Sequence, residues 1–241
     1  MEKEMILGLQ YASLTMAQAV EEIAALTARP GGKSVVTAGT EHVMMARKKP
    51  ALYDVFNDAD MILVDGIGVV KASRIVGKPL PERVGGTDTT EKLLPVWAAQ
   101  QRKLFLLGAA PGVAEKAAEV LRDRYSLDVC GAHDGYFADD AEVLGLINEA
   151  KPDVLFVCLG APKQEKWMQT NKHNVGDCLM LGLGGSLDVW AGNVKRAPKW
   201  MIKLNLEWLG RLLRQPSRLG RMMKLPGIYR LAWKEKRNSG R

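Results

Sequence analysis

The chain has 241 residues, 47% of them apolar, enough to bury one substantial core and carry a small appendage. No uninterrupted apolar run of 18 or more residues occurs, and the amino terminus MEKEMILGLQYASLT lacks the long apolar stretch of a signal peptide. A transmembrane or secreted protein is therefore not expected, and the reading is a cytoplasmic chain. Cys130, Cys158 and Cys178 stand singly inside apolar runs, without the paired spacing of a metal site or disulfide framework, and are read as buried, reduced thiols.

The net charge of +7 divides unevenly. Residues 193–241 hold 14 Lys or Arg against Glu207 and Glu235, a balance of +12, which leaves −5 on the first 192 residues. A mildly acidic body with a basic tail points to a polyanion at the tail: phospholipid head groups, nucleic acid or diphosphates.

In chain order, a capped amphipathic helix is predicted over Thr15 to Ala28, with Thr15 or Ser13 as its cap. Short apolar strands follow at KSVVTA (33–38), MILVD (61–65), KLFLLG (103–108), VLFVCLG (154–160) and CLMLGLG (178–184). Helical patterns occupy Asp88 to Gln101, Gly112 to Tyr125, Asp139 to Ala150 and Lys163 to Asn171. The strands read as continuous apolar runs, as when helices cover both faces of a sheet. The alternation is that of a Rossmann-like, doubly wound, mainly parallel α/β sheet over residues 1–192. From Asn193 the rhythm changes to a basic, tryptophan-bearing helical pattern broken by Pro198, Pro216 and Pro226, read as an appendage over 193–241.

Several strands end in small-residue turns that contain Gly66, Gly108, Gly160 and Gly185. At the carboxyl ends of an open α/β sheet such turns let a ligand approach the backbone, and the helix amino termini beyond them favour phosphate. Asp65 closes an apolar strand just before Gly66, a position that suits a general base or an Asx turn or helix cap. In PLPERVGGTD (79–88), Arg83 offers a planar fork for a diphosphate or a surface ion pair, and Thr87 or Asp88 suits a helix cap. In GAPKQEKW (160–167), Gln164 is placed to donate to a phosphate or sugar oxygen. His42, His133 and His173 lack metal-ligand spacing, so no metal or other cofactor is expected. Neither GxGxxG after the first strands nor GxxxxGK[ST] occurs, which argues against a nicotinamide dehydrogenase or a P-loop hydrolase.

In the tail, Trp200, Leu204, Trp208 and Leu212 recur at helical spacing beside Lys203, Arg211, Arg214, Arg218 and Arg221. This stripe suits an interfacial membrane helix on anionic lipid, or docking against the core. Its apolar face also predicts a homo-oligomer when no membrane is present.

Five ordered segments, VDGIGVV (64–70), PLPERVGGTD (79–88), GAPKQEKW (160–167), GGSLDVWAGNVKRAP (184–198) and LEWLGRLLRQPSRLGRMM (206–223), resemble the WecG/TagA/CpsF glycosyltransferases, also called glycosyltransferase family 26. The resemblance implies a metal-independent, inverting transfer of N-acetylmannosamine from a UDP-sugar to GlcNAc-diphospho-undecaprenol, as in the wall teichoic acid linkage unit. Transfer of UDP-N-acetylmannosaminuronate fits the same motifs. A non-enzymatic polyanion-binding module, with the α/β body as a scaffold, is a reading of another class.

The resemblance places Asp65 on the general base and Thr37, Arg83 and Gln164 around the substrates. It puts Tyr136 and Asp188 where uracil and ribose are held. It also implies an appendage that folds over the pocket, bringing Arg211, Arg218 and Arg221 to the departing UDP and seating the enzyme on the inner face of the cell membrane. Lipid and diphosphate, and not nucleic acid, are then the tail's partners. Two positions depart from the family pattern: Thr37-Ala38-Gly39 stands where Thr-Pro-Asn is common, and Leu187 where phenylalanine is usual.

Overall fold

In a computed structural model, residues 1–195, 198, 201 and 227–239 are described. The chain opens with a hairpin of β1 (Lys3–Ile6) and β2 (Leu9–Ala12), whose turn residues Leu7 and Gly8 both have positive φ, 52° and 88°. Such two-residue turns match the twist of the flanking strands. Helix α1 (Met16–Thr27) begins at a reciprocal capping box. The Thr15 N–H donates to Gln18 Oε1 at 2.9 Å, and the Gln18 N–H donates to Thr15 Oγ1 at 3.4 Å.

There follow β3 (Lys33–Ala38), α2 (Thr40–Lys48), α3 (Leu52–Asn57), β4 (Met61–Val64), α4 (Ile67–Val76), α5 (Gly86–Ala99) and β5 (Lys103–Gly108). After these come α6 (Val113–Tyr125), β6 (Asp128–His133), α7 (Asp140–Ala150), β7 (Val154–Cys158), α8 (Lys163–Asn171), β8 (Leu179–Gly182) and α9 (Ser186–Trp190). The carboxyl-terminal helix, α10, spans Gly227–Ser239.

Six strands form one parallel sheet in the order β4-β3-β8-β7-β5-β6. Alternate residues of each strand enter opposite layers. Val36, Ile62, Leu107, Leu155 and Met180 join α2, α3, α4, α7, α8 and α10, while Val35, Leu63, Leu106, Phe156 and Leu181 join α1, α5, α6 and α9. This two-sided burial is why the strands carry no polar alternation. The chain leaves β5 towards β6 on one side and β7 towards β8 on the other. The adjacent strands β5 and β7 thus form a topological switch point, where the carboxyl edge opens a crevice.

Helix α10 returns to this body: Ile228 and Ala232 are buried in the core beside α4 and α2. No helix among the described residues is long and apolar enough to cross a membrane.

Candidate active site

The parallel topology brings the ends of β3, β4, β5, β6, β7 and β8 to one edge, and with them Thr37, Gly39, Asp65, Gly108, Tyr136, Gly160, Gln164, Gly185 and Asp188. The row is long. Five inter-strand spacings separate β4 from β6, about 24 Å, so Asp65 and the loop of Tyr136 stand towards opposite ends of this edge.

At one end stands Asp65. Its N–H donates to the Ala38 carbonyl at 3.1 Å, continuing the β3–β4 pairing by one residue. The segment after α4 returns beside it, because the Val84 N–H donates to the Val64 carbonyl at 2.9 Å and Leu80 is buried with its N–H on Ser73 Oγ. Arg83 is thereby delivered to the carboxylates. Its Nη2 lies 3.4 Å from Asp65 Oδ1 and its Nη1 donates to Asp88 Oδ2 at 2.9 Å. Glu82 of the same loop accepts the Met16 N–H at 2.7 Å, tying the loop to the start of α1.

Asp65 does not cap the next helix, since Gly66, at φ 143°, is the N-cap of α4. Its carboxylate is held half-exposed at the sheet edge by a cation. Nor do Thr87 and Asp88 cap α5, which starts at Gly86 with Gly85 as N-cap. The Gly pair begins the helix earlier than the polar residues suggest. That frees the Asp88 carboxylate for Arg83, while the Thr87 hydroxyl meets Ser186 Oγ at 2.8 Å.

Under the centre of the edge lies a buried polar cluster. Thr37 Oγ1 donates to the Gly182 carbonyl at 3.0 Å. Gln164, only 2% exposed, accepts the Gly184 N–H at 3.0 Å and donates through Nε2 to Glu165 Oε1 at 2.8 Å. The Gln164 amide therefore braces the β7 and β8 loops. Glu165 is itself buried, and the same Oε1 lies 3.3 Å from His42 Nε2. His42 Nδ1 accepts the Gly39 N–H at 3.3 Å. His42, read from sequence as an ordinary polar residue, and Glu165, not singled out at all, are thus part of the site's frame. The signal for Glu165 was its place beside Gln164 in GAPKQEKW; His42 lies on a helix the sequence reading did not predict.

Towards the far end, the Gly108 φ of 130° and the Cys158 carbonyl, which a Cβ at position 108 would overlap, require glycine. The Tyr136 side chain is 77% exposed, on a loop held where the Gly135 N–H donates to Ala109 O at 3.0 Å and Lys163 Nζ donates to Gly135 O at 3.0 Å. Gly160 has φ 75° in the loop that opens α8, Gly185 precedes α9, and Asp188 lies half-buried in the first turn of α9.

Cys158, at the end of β7, has its thiol pushed up to about 12 by burial, and burial raises Cys178 and Cys130 as well. These thiols stay protonated near neutral pH and serve packing, not nucleophilic attack. Among the described residues, no group of three or more His, Cys, Asp or Glu is placed to hold a metal ion. Arg211, Arg218 and Arg221, with Trp200, Lys203, Leu204, Trp208, Leu212 and Arg214, lie outside the described residues.

A half-exposed carboxylate held by a guanidinium at the crevice edge, over a rigid polar floor, suits proton abstraction from an acceptor hydroxyl beside a negatively charged donor. Residues 4–241 match the model of the glycosyl transferase WecG/TagA/CpsF family. Three similar relatives carry the name N-acetylglucosaminyldiphosphoundecaprenol N-acetyl-beta-D-mannosaminyltransferase. The protein of Bacillus spizizenii is 40% identical over 211 residues, covering 87% of this chain and 82% of the relative. That of Bacillus subtilis is 39% identical over 208 residues, covering 86% and 81%, and that of Staphylococcus aureus 39% over 231 residues, covering 94% and 91%.

Proposed function

The chain belongs to the WecG/TagA/CpsF family of glycosyltransferases, and we propose that it transfers N-acetylmannosamine from UDP-N-acetylmannosamine to the N-acetylglucosamine of an undecaprenyl diphosphate carrier, as the names of its relatives describe. The observation that carries the reading is the Asp65–Arg83–Asp88 constellation at the carboxyl edge, within a chain that aligns with those relatives over most of its length.

In this reading Asp65 accepts the proton of the acceptor hydroxyl as that oxygen attacks the anomeric carbon. The bond from that carbon to the β-phosphate oxygen breaks in the same displacement, its electron pair leaves with UDP, and the configuration inverts. Arg83 orients the Asp65 carboxylate and lends positive charge to the diphosphate side. Tyr136, in the loop after the edge strand β6, and Asp188, on the helix after β8, receive the uracil and ribose. The appendage arginines Arg211, Arg218 and Arg221 neutralise the departing diphosphate, the work a metal ion performs elsewhere.

The same reading seats the enzyme on the inner face of the cell membrane, where its lipid carrier lies. Helix α10 supports this by its two faces: Ile228 and Ala232 dock on the core, while Arg230, Lys234, Lys236 and Arg237 are exposed around Trp233, itself 55% exposed. Each cation near an anionic surface contributes about 1 kcal/mol of attraction, and tryptophan favours the interface. Away from lipid the exposed apolar groups favour a homo-oligomer, which light scattering with and without detergent tests.

The activity test is release of UDP from UDP-N-acetylmannosamine with a lipid-diphosphate-N-acetylglucosamine acceptor. Acceptor-dependent release is the expected result. Release only from the uronate donor, or from neither, overturns the donor assignment.

A further inference from the structure

We propose that His42 and Glu165 form a buried positioning couple that sets the loop on which the base, Asp65, stands; this rests on the reading of Asp65 as base. A backbone N–H only donates, so the bond from the Gly39 N–H to His42 Nδ1 leaves that nitrogen unprotonated and puts the ring proton on Nε2. Nε2 faces Glu165 Oε1 at 3.3 Å, and the carboxylate fixes the tautomer. Phe56 meets the imidazole edge-on at 5.2 Å between ring centres and limits its rotation.

The carboxylate is placed at a cost. The Glu165 side chain has no exposure, and its second oxygen, Oε2, is buried without a hydrogen-bond partner in the described structure. A packing role alone would be served by an apolar side chain. What the carboxylate provides is a junction, since Oε1 receives both His42 Nε2 and Gln164 Nε2, and Gln164 in turn holds Gly184. The loops after β3, β7 and β8 are joined through one oxygen.

The link to Asp65 is direct. The Gly39 backbone approaches the Asp65 carbonyl so closely that a Cβ at position 39 would overlap it, and the neighbouring Ala38 carbonyl accepts the Asp65 N–H at 3.1 Å. Movement of Gly39 therefore displaces Asp65 relative to the acceptor. Misplacement by about 1 Å is enough to lower turnover by about 100-fold.

The two nitrogens of His42 separate by substitution. His42→Asn keeps an acceptor where Nδ1 lies, and His42→Gln keeps a donor where Nε2 lies. Amide hydrogen exchange by NMR and steady-state kinetics are measured on the full chain, beside Asp65→Ala. We expect His42→Gln to speed exchange at Gly39 and Asp65 and to lower kcat by about 10–100-fold with the donor KM held. His42→Asn, which keeps the bond to Gly39 and gives up the one to Glu165, should hold exchange at Gly39 near that of wild type and lower kcat by less than His42→Gln does. Glu165→Ala should behave like His42→Gln, and Glu165→Gln, whose amide oxygen still accepts from Nε2, should recover most of the loss. Unchanged Gly39 and Asp65 exchange in His42→Gln overturns the couple, whatever donor the enzyme uses. Loss of melting temperature with kcat intact reduces it to a packing role and overturns it equally. Full turnover by Asp65→Ala instead removes the base reading, and exchange then still decides whether His42 holds the loop.

Discussion

Replacing Gly86 with alanine tests whether the start of α5 is fitted to β3 through Thr37. A Cβ at position 86 would lie 2.7 Å from Thr37 Cγ2 and 3.2 Å from its Oγ1. Carbon atoms pack at about 3.5–4.0 Å, so the contact is short by about 1 Å. Thr37 is buried, β-branched and bonded to the Gly182 carbonyl at 3.0 Å, and its stiff χ1 resists moving aside. Overpacking of this kind costs about 1–3 kcal/mol and loss of the hydroxyl bond about 0.5–1.5 kcal/mol. The helical preference of alanine over glycine returns at most about 1 kcal/mol.

The net is a destabilisation of about 1–3 kcal/mol, a fall in Tm of about 2–12 °C for a domain of this size. If α5 yields, Asp88 moves with it, and through Arg83 so does the contact with Asp65. We therefore expect kcat to fall by about 100-fold, or about 2.7 kcal/mol in the barrier. Gly145→Ala, on an exposed turn of α7 with no atom within 4 Å of the added carbon, serves as control and should gain about 0.4–1 kcal/mol without change in turnover. Calorimetry and UDP release read both effects. A Gly86→Ala protein with Tm and kcat matching the wild type refutes the reasoning.

Thr15→Ala breaks the capping box of α1 and should cost about 1 kcal/mol by urea denaturation, with kcat retained. Burial holds the folded-state values of Tyr11, Cys158 and Cys178 above those of the unfolded chain. Their contribution is complete below about pH 9 and falls as pH rises, by about 1.4 kcal/mol per unit for each group that titrates only when unfolded. Melting temperature should hold between pH 7 and 8.5 and drop from pH 9 to 11. Trp233→Ala should weaken binding to vesicles containing anionic phospholipid and leave Tm within about 1–2 °C, because the ring is mostly exposed; unchanged binding to vesicles counts against α10 as the lipid-facing surface.

The parallel sheet was legible because its strands are apolar on both faces, and the five strands read from sequence all occur. Strand β6 was missed because DVCGAH interrupts its apolar residues with Gly131, which packs on the Phe105 ring. The β1–β2 hairpin was missed because its turn is Leu7-Gly8, not Asn-Gly or Asp-Gly. The N-cap residues of helices α2, α3 and α4 make no side-chain capping bond, two of them being the glycines Gly39 and Gly66, so the usual start signals are absent. Asp65 could be named because it follows a strand just before Gly66, Gln164 because it lies in the first turn of the helix after Pro162, and Arg83 because it is the cation of the segment between Pro81 and Gly85. Their partners could not. The pairing of Arg83 with Asp88 is local and follows from α5 starting at Gly86, whereas those of Gln164 with Gly184 and of His42 with Glu165 depend on the crossing order of the sheet, which places residues 123 positions apart at 3.3 Å.

The most direct measurement compares wild type with Asp65→Ala for release of UDP from UDP-N-acetylmannosamine on the lipid-diphosphate acceptor, with UDP-induced thermal stabilisation recorded for both. We expect acceptor-dependent release by the wild type, a fall of at least about 100-fold in the variant, and UDP stabilisation preserved. Turnover retained by Asp65→Ala with intact UDP binding contradicts the assignment of the base.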